Sequence, residues 1–368
     1  MIKVLHIGTD LQWRGGEHQI QLLGLGLKPL GVETYVAYPK ASLALEKFKA
    51  NFKCHAMPKS LDAAAAGLIE FADNNEIQIV NAHSSKAHKL ALAIKNRTAK
   101  PIRVVVHRRV TDFPKWNFFS KAKYLDDQVD AFVAISSFIA KILESNGVSK
   151  NKISVIHDCA DQNDYKNTDR TKARAKWLDH LRIDLATSNK PITLIGIIAA
   201  LTREKGHKTL LEAAALMTAD QNFKIVVAGR GPLDAALKKQ VAKLRLEDKI
   251  CFLGQIDNVP SLLSALDIVV LPSTSEGFGS ILLDATLAGC SLVASNVGGI
   301  PEFVRPNLTG ALFEPHDRAA LAECLRRQIA EPTFRSQLQK NAFDLAQSEY
   351  SLEATSAKTL AVYQRLID

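Results

Sequence analysis

Lys205, Glu276 and Asp284, with the glycines around them, have types and spacing that suit one piece of chemistry in this 368-residue chain. From Ile268 to Val304 the sequence reads IVVLPSTSEGFGSILLDATLAGCSLVASNVGGIPEFV. This predicts a buried strand at 268–271, then a polar turn with Glu276, Gly277, Phe278, Gly279 and Ser280. An apolar helix to about Ala288, capped by Gly289, and a second strand at 291–294 follow. A glycine turn opening onto a helix offers backbone N–H groups and the positive end of a helix dipole, which together receive phosphate. Glu276 precedes that helix and Asp284 lies about two turns inside it, roughly on the same side. Two carboxylates flanking a phosphate cradle suit sugar and ribose hydroxyls, not the phosphate itself. Lys205, directly before Gly206 in LTREKGH, can neutralise a diphosphate as a point charge.

Ligands of open α/β sheets lie beyond the carboxyl ends of the strands, so the residues after each predicted strand extend the set. Arg14, Gly15 and Gly16 follow the first strand; adjacent glycines before a helix permit close backbone approach to a ligand. No G-x-G-x-x-G follows the first strand of either half, which disfavours a nicotinamide-dependent oxidoreductase. His83 and His107 close two other strands, and Arg108 and Arg109 come next. A strand-end histidine can bond a sugar hydroxyl or steady developing positive charge; packing is the favoured role for His83. Arg108 and Arg109 meet an acidic acceptor or pair with Asp112 and solvent. Further on, Ala228-Gly229-Arg230-Gly231-Pro232 ends a strand, Ile256 sits in the loop 255–260, and Gly298-Gly299-Ile300-Pro301-Glu302 turns after the helix bearing Asp284.

In order along 7–304, these motifs resemble the signature of retaining glycosyltransferases of the GT-B fold, family four ("glycosyl transferases group 1"). That family has a second Glu where Asp284 stands, and an Arg five residues before the Lys, where this chain has Ala200 and offers Arg203 nearby. The resemblance implies an α/β chain of two Rossmann-like, doubly wound parallel-sheet domains facing a central cleft. Residues 1–175 would bind the acceptor, with a helix in 350–368 packing back on them, and 188–349 would bind the nucleotide-sugar. The implied reaction moves a sugar, with retained configuration, from a UDP-sugar to a hydroxyl of a glycan or lipid-linked acceptor in cell-envelope polysaccharide synthesis. Lys205, Arg203 and the N–H groups near Gly279 and Ser280 would receive the departing diphosphate. Glu276 would hold sugar hydroxyls, Asp284 the ribose, and His107 the other edge of the sugar, making His107, Lys205 and Glu276 the catalytic set. Gly15, Gly16, Gly229, Arg230, Gly231, Ile256, Gly277 and Phe278 would complete the donor site, and Arg14, His83, Arg108 and Arg109 would face the acceptor. No cofactor and no metal is expected, since the chain has no Asp-x-Asp pair to hold a magnesium diphosphate. A nucleotide-sugar 2-epimerase of the same architecture and a non-catalytic sugar or anionic-lipid binding module stay open as alternatives.

Two alternating series of strands and helices must position these groups. The first places strands at 3–7, 34–37, 77–81, 102–107, 131–135 and 153–156, with helices such as 19–27 and 61–72. The second places strands at 192–198, 224–228, 249–253, 268–271, 291–294 and 310–313, followed by a helical tail. The charged stretch 158–190 reads as the interdomain linker. Strands joined by helices imply parallel sheets with right-handed crossovers. The formal charge is +9. Residues 1–180 carry 27 Lys and Arg against 18 Asp and Glu, and residues 181–368 carry 20 of each, so the excess lies wholly in the first half. It fits an anionic acceptor or membrane surface, or a plain solvated face; without interleaved aromatics or a binding motif, nucleic acid is not expected. Five scattered cysteines, no apolar run of membrane length and no signal-peptide pattern at the start read as a cytoplasmic protein, with peripheral contact at the inner membrane face as a further expectation.

Overall fold

Runs rich in Val and Ile, buried on both faces, form parallel strands because each chain return passes through a helix. The computed structural model describes residues 1–111, 122–166, 168–182, 191–217 and 222–368. One unit is Met1–Cys159 with Leu352–Asp368, and the other is Ala160–Ser351. The first holds β1 (Ile2–Ile7), β2 (Val32–Pro39), β3 (Lys53–Met57), β4 (Ile79–Ala82), β5 (Arg103–Arg108), β6 (Ala131–Ala134) and β7 (Ile153–Val155), in the order β3-β2-β1-β4-β5-β6-β7. The second holds β8 (Thr193–Ile198), β9 (Phe223–Ala228), β10 (Ile250–Gly254), β11 (Ile268–Leu271), β12 (Ser291–Ser295) and β13 (Ala311–Phe313), in the order β10-β9-β8-β11-β12-β13. Every pairing among these strands is parallel. Each sheet is therefore doubly wound, α/β and Rossmann-like. Its strand order reverses between β1 and β4 in one unit and between β8 and β11 in the other, and crevices for ligands form at such switch points.

Three details depart from the sequence expectations. Strand β3 adds to the expected set: KCHAM mixes polar and small residues, as an edge strand with one open face can. The segment after Cys159, expected in the first domain and in a linker, belongs to the second unit. Its helix Arg170–His180 looks solvated because it is so charged, yet Arg170 donates to the carbonyls of Leu266, Ala288 and Gly289, and Arg174 to those of Ala265 and Ile192. Both arginines thus satisfy carbonyls left open at the ends of helices Val259–Ala265 and Ile281–Leu287, where cations also favour the helix dipole. Residues 183–190 of that stretch, and Asp112, lie outside the described residues.

The C-terminal helix Leu352–Ile367 packs on helix Gly15–Leu27 so closely that a Cβ on Gly26 would lie 2.1 Å from Ser356 Oγ. It buries Tyr363 completely in the first core, with Val4, Leu23, Val105 and Val133. The second core centres on Ile195, Ile197, Leu210, Val227, Ile268 and Val293. All five cysteines are free. Among the described residues no helix is long and apolar enough to cross a membrane.

Three buried histidines make this fold sensitive to acid. Burial, helped by the charges of neighbouring Lys and Arg, lowers His207 to about 4 and His88 and His6 to about 3. Unfolded, each takes up its proton near pH 6.5, so below that pH the unfolded chain binds more protons and stability falls. Each ring should cost about 2 kcal/mol at pH 5 relative to neutral pH. Urea unfolding at pH 7.5 and pH 5 should show this loss. His207→Leu, placed among Ile197, Leu210, Leu211 and Phe252, should remove one ring's share of it.

Candidate functional site

In the second unit the loops after β8, β11 and β12 are built against one another. Gly206 ends the turn that carries Arg203 and Lys205; its φ of 67° is left-handed, and a Cβ there would lie 1.7 Å from the Pro272 carbonyl oxygen. Only glycine combines that dihedral with that approach. Thr274 N–H donates to the Glu204 carbonyl at 2.7 Å and completes the staple. Gly298, with φ of 58°, repeats the device: its Cβ would lie 1.8 Å from the Glu276 carbonyl oxygen. Two loops therefore fix the backbone that presents Glu276.

The result is an ion pair at the switch point. Lys205 Nζ donates to Glu276 Oε2 at 2.7 Å, and Ser273 Oγ donates to the same oxygen at 3.1 Å. The side chains are 25% and 15% exposed, so water screens the pair only in part and ligand can still reach it. A hydrogen bond between such charges contributes roughly 1.5–3 kcal/mol. The arrangement places a cation and an acceptor of hydroxyl protons side by side, each able to exchange its partner for a ligand group. Arg203 and Arg230 are exposed, Ile256 is half-buried in the loop after β10, and Gly229 and Gly231 lie against the carbonyls of Ala199 and Leu201. Gly277, Gly279 and Ser280 lead into helix Ile281–Leu287.

Two expected donor contacts are engaged elsewhere. Phe278 is 2% exposed and stacks on Tyr350 with ring centroids 5.5 Å apart, so its side chain serves the core rather than a ligand. Asp284, buried on its helix, accepts a hydrogen bond from Tyr165 Oη at 3.2 Å. A ribose would have to share that carboxylate with Tyr165.

The first unit gathers a second set of groups at the β1/β4 switch point. His6, His83 and His107 form a stack: ring centroids are 5.1 Å apart for His6 and His83, and 5.0 Å for His83 and His107, both at 20°. His6 Nδ1 and His83 Nε2 share a hydrogen bond of 2.9 Å. Burial and the Arg109 charge hold all three rings well below the ordinary histidine range, so they are neutral. Arg109 itself forms a buried ion pair with Asp158. Arg108 is 5% exposed and donates to Tyr124 Oη at 3.1 Å. Both arginines are thus engaged by partners within the first unit. Arg14 is exposed beside Asp10, and Gly15 has open space where a Cβ would stand. Behind them Glu17 accepts from Tyr38 Oη at 3.3 Å, and burial, then Asp10, raises its pKa.

Sequence reasoning missed Ser273, Tyr165, Asn81, Asp158, Tyr363 and His6. His6 carried a signal, a third histidine at a strand end; Tyr363, in the last helix, carried none.

Two family models match the chain: Glycosyltransferase Family 4 over residues 13–164, and Glycosyl transferases group 1 over 184–344. The chain is 24% identical over 311 residues to N-acetyl-alpha-D-glucosaminyl L-malate synthase of Bacillus anthracis, a match covering 83% of this chain and 78% of that one. It is 30% identical over 206 residues to alpha-D-kanosaminyltransferase of Streptomyces kanamyceticus, covering 55% of this chain and about half, 52%, of that relative's length. The crystal structure of Anabaena Alr3699/HepE in complex with UDP-glucose superposes with a TM-score of 0.85 at 20% identity, covering 100% of both chains.

Gly298→Ala tests the staple. A methyl group aimed at the Glu276 carbonyl, with a left-handed dihedral besides, should lower stability by about 1–3 kcal/mol. Urea unfolding measures it.

Proposed function

This chain belongs to the glycosyltransferase family whose models match its two halves, and from that premise we propose that it moves a sugar from a UDP-sugar to a hydroxyl of an anionic acceptor, with retention. The observation that carries this reading is the Lys205–Glu276 pair at the β8/β11 switch point. On donor binding, Lys205 exchanges Glu276 for the diphosphate, and the freed carboxylate accepts from sugar hydroxyls. The bond from the anomeric carbon to the diphosphate breaks as the bond to the acceptor oxygen forms on the same face, and the departing phosphate takes the acceptor proton. Lys205, Arg203 and the N–H groups at Gly279 and Ser280 stabilise the growing negative charge, so we assign its neutralisation to the protein and not to a metal. UDP is favoured because the similar Anabaena structure holds UDP-glucose.

The excess positive charge of residues 1–180 and a relative whose name includes malate, a dicarboxylate, support an acceptor that is negatively charged. A phosphorylated glycolipid or glycan at the inner membrane face, as in envelope polysaccharide synthesis, satisfies that chemistry. Vesicles of anionic lipid should then bind the protein, and added salt should release it; indifference to anionic lipid counts against the membrane placement.

Lys205→Ala should lower kcat/KM for sugar transfer roughly 100- to 1000-fold, the size of a lost donor to a developing anion. Release of UDP from UDP-sugar, followed with and without acceptor, measures it. Rapid epimerisation of the UDP-sugar without acceptor would replace the transferase reading, and unchanged turnover in Lys205→Ala would remove its central group.

A further inference from the structure

One edge of the first sheet gathers apolar and cationic side chains that the reaction above leaves unused. Strands β1, β2 and β3 are adjacent and parallel, so the connections that leave them share one end of the sheet. Leu11, Leu43 and Leu61, one from each connection, are 49%, 56% and 44% exposed. The first two connections are joined: Leu43 N–H donates to the Leu11 carbonyl at 3.0 Å, and Ser42 Oγ to the Asp10 carbonyl at 2.8 Å. Lys40 N–H donates to the Met57 carbonyl at 2.9 Å, which seats the second connection against the third. Trp13 is half-buried against Phe48, with ring centroids 5.5 Å apart, and Lys47 Nζ lies 4.7 Å over its ring. Single exposed leucines are ordinary on a protein surface, whereas several on adjoining loops mark an interaction site.

The charges around these leucines choose the partner. Asp10 is paired with Arg14 at 3.4 Å, and Glu46 with Lys49 at 2.7 Å. Asp62 is the acid left in the three connections, and it sits in the first turn of helix Leu61–Asn74, where the dipole favours it. Against it stand Lys40, Lys47 and Lys59, all exposed and in no ion pair among the described residues. We propose that this edge of the first unit docks on an anionic lipid bilayer, with Leu11 and Leu43 entering the acyl boundary and Lys40, Lys47 and Lys59 binding lipid phosphates. Lysine stems lie along apolar surface while their ammonium groups stay among the headgroups. Buried apolar area and attraction to anionic lipid add together at such an interface. Leu11 lies three residues before Arg14, so an acceptor held in the leaflet is delivered beside that loop. This rests on the membrane placement proposed above and assigns it to named residues, and the test separates the two.

Co-sedimentation of the full chain with vesicles of phosphatidylcholine and phosphatidylglycerol in equal parts is the test, with phosphatidylcholine vesicles as the control. The wild-type protein should bind the mixed vesicles far more tightly than the control. Leu11→Ser combined with Leu43→Ser should weaken that binding roughly 30-fold, the size expected when two half-exposed leucines no longer leave water. Lys40→Gln combined with Lys59→Gln should weaken it about fivefold per lysine at low salt and flatten its dependence on salt. All four side chains are exposed, so urea unfolding of both variants should match the wild type. Wild-type binding that persists undiminished in either variant overturns the assignment of the surface and leaves the membrane placement standing. A wild-type protein indifferent to the mixed vesicles overturns both. Indifference to vesicles together with self-association that the leucine pair abolishes gives the surface to a second copy of this chain instead.

Discussion

The site in the second unit depends on one interaction, the hydrogen-bonded ion pair of Lys205 and Glu276, and on the backbone packing that makes it unavoidable. A lysine on a loop is ordinarily a solvated point charge with a costly choice of rotamers. Here the loop after β8 is stapled to the loop after β11 at Gly206, and the loop after β11 is stapled to that after β12 at Gly298. Neither junction admits a side chain. The carboxylate is held further by Ser273, so the ammonium meets a preformed partner. Preorganisation of this sort matters in catalysis because charges already in place need not reorganise when a leaving group departs.

The first unit solves the opposite electrostatic problem. It holds three imidazoles neutral in a stack, by burial and by the positive charge of Arg109, itself neutralised by Asp158. One unit thus holds a charged pair, and the other holds uncharged imidazoles in a stack. Together with buried His88 and His207, the stack makes the fold sensitive to acid, since every ring kept neutral inside is a ring that protonates outside.

Much of this is legible in the sequence. Doubly wound parallel sheets follow from alternating Val/Ile-rich runs and amphipathic stretches, and the switch-point loops follow from the glycines that end those strands. Lys205 and Glu276 can be named because each adjoins a glycine whose backbone geometry is local. The misses share a physical origin: they depend on contacts between distant segments. Arg170 and Arg174 look like surface charge until the helix ends they cap are in place. That Tyr165 donates to Asp284 is visible in neither segment alone. Phe278 looks like part of a ligand loop until Tyr350 covers it. Arg108 and Arg109 read as meeting an acidic acceptor or pairing with Asp112 and solvent; their partners Tyr124 and Asp158 come from other segments.

The most direct test of the exchange assigned to Lys205 is the affinity of UDP for Glu276→Gln, by isothermal titration. If the lysine changes partners on donor binding, the Glu276 carboxylate competes with the diphosphate for Lys205 and repels it. Neutralising that carboxylate should therefore tighten UDP binding, by roughly tenfold for one charge-assisted hydrogen bond, while sugar transfer is lost. UDP binding that is equal or weaker in Glu276→Gln would mean that the lysine is not released to the diphosphate, and would contradict the exchange.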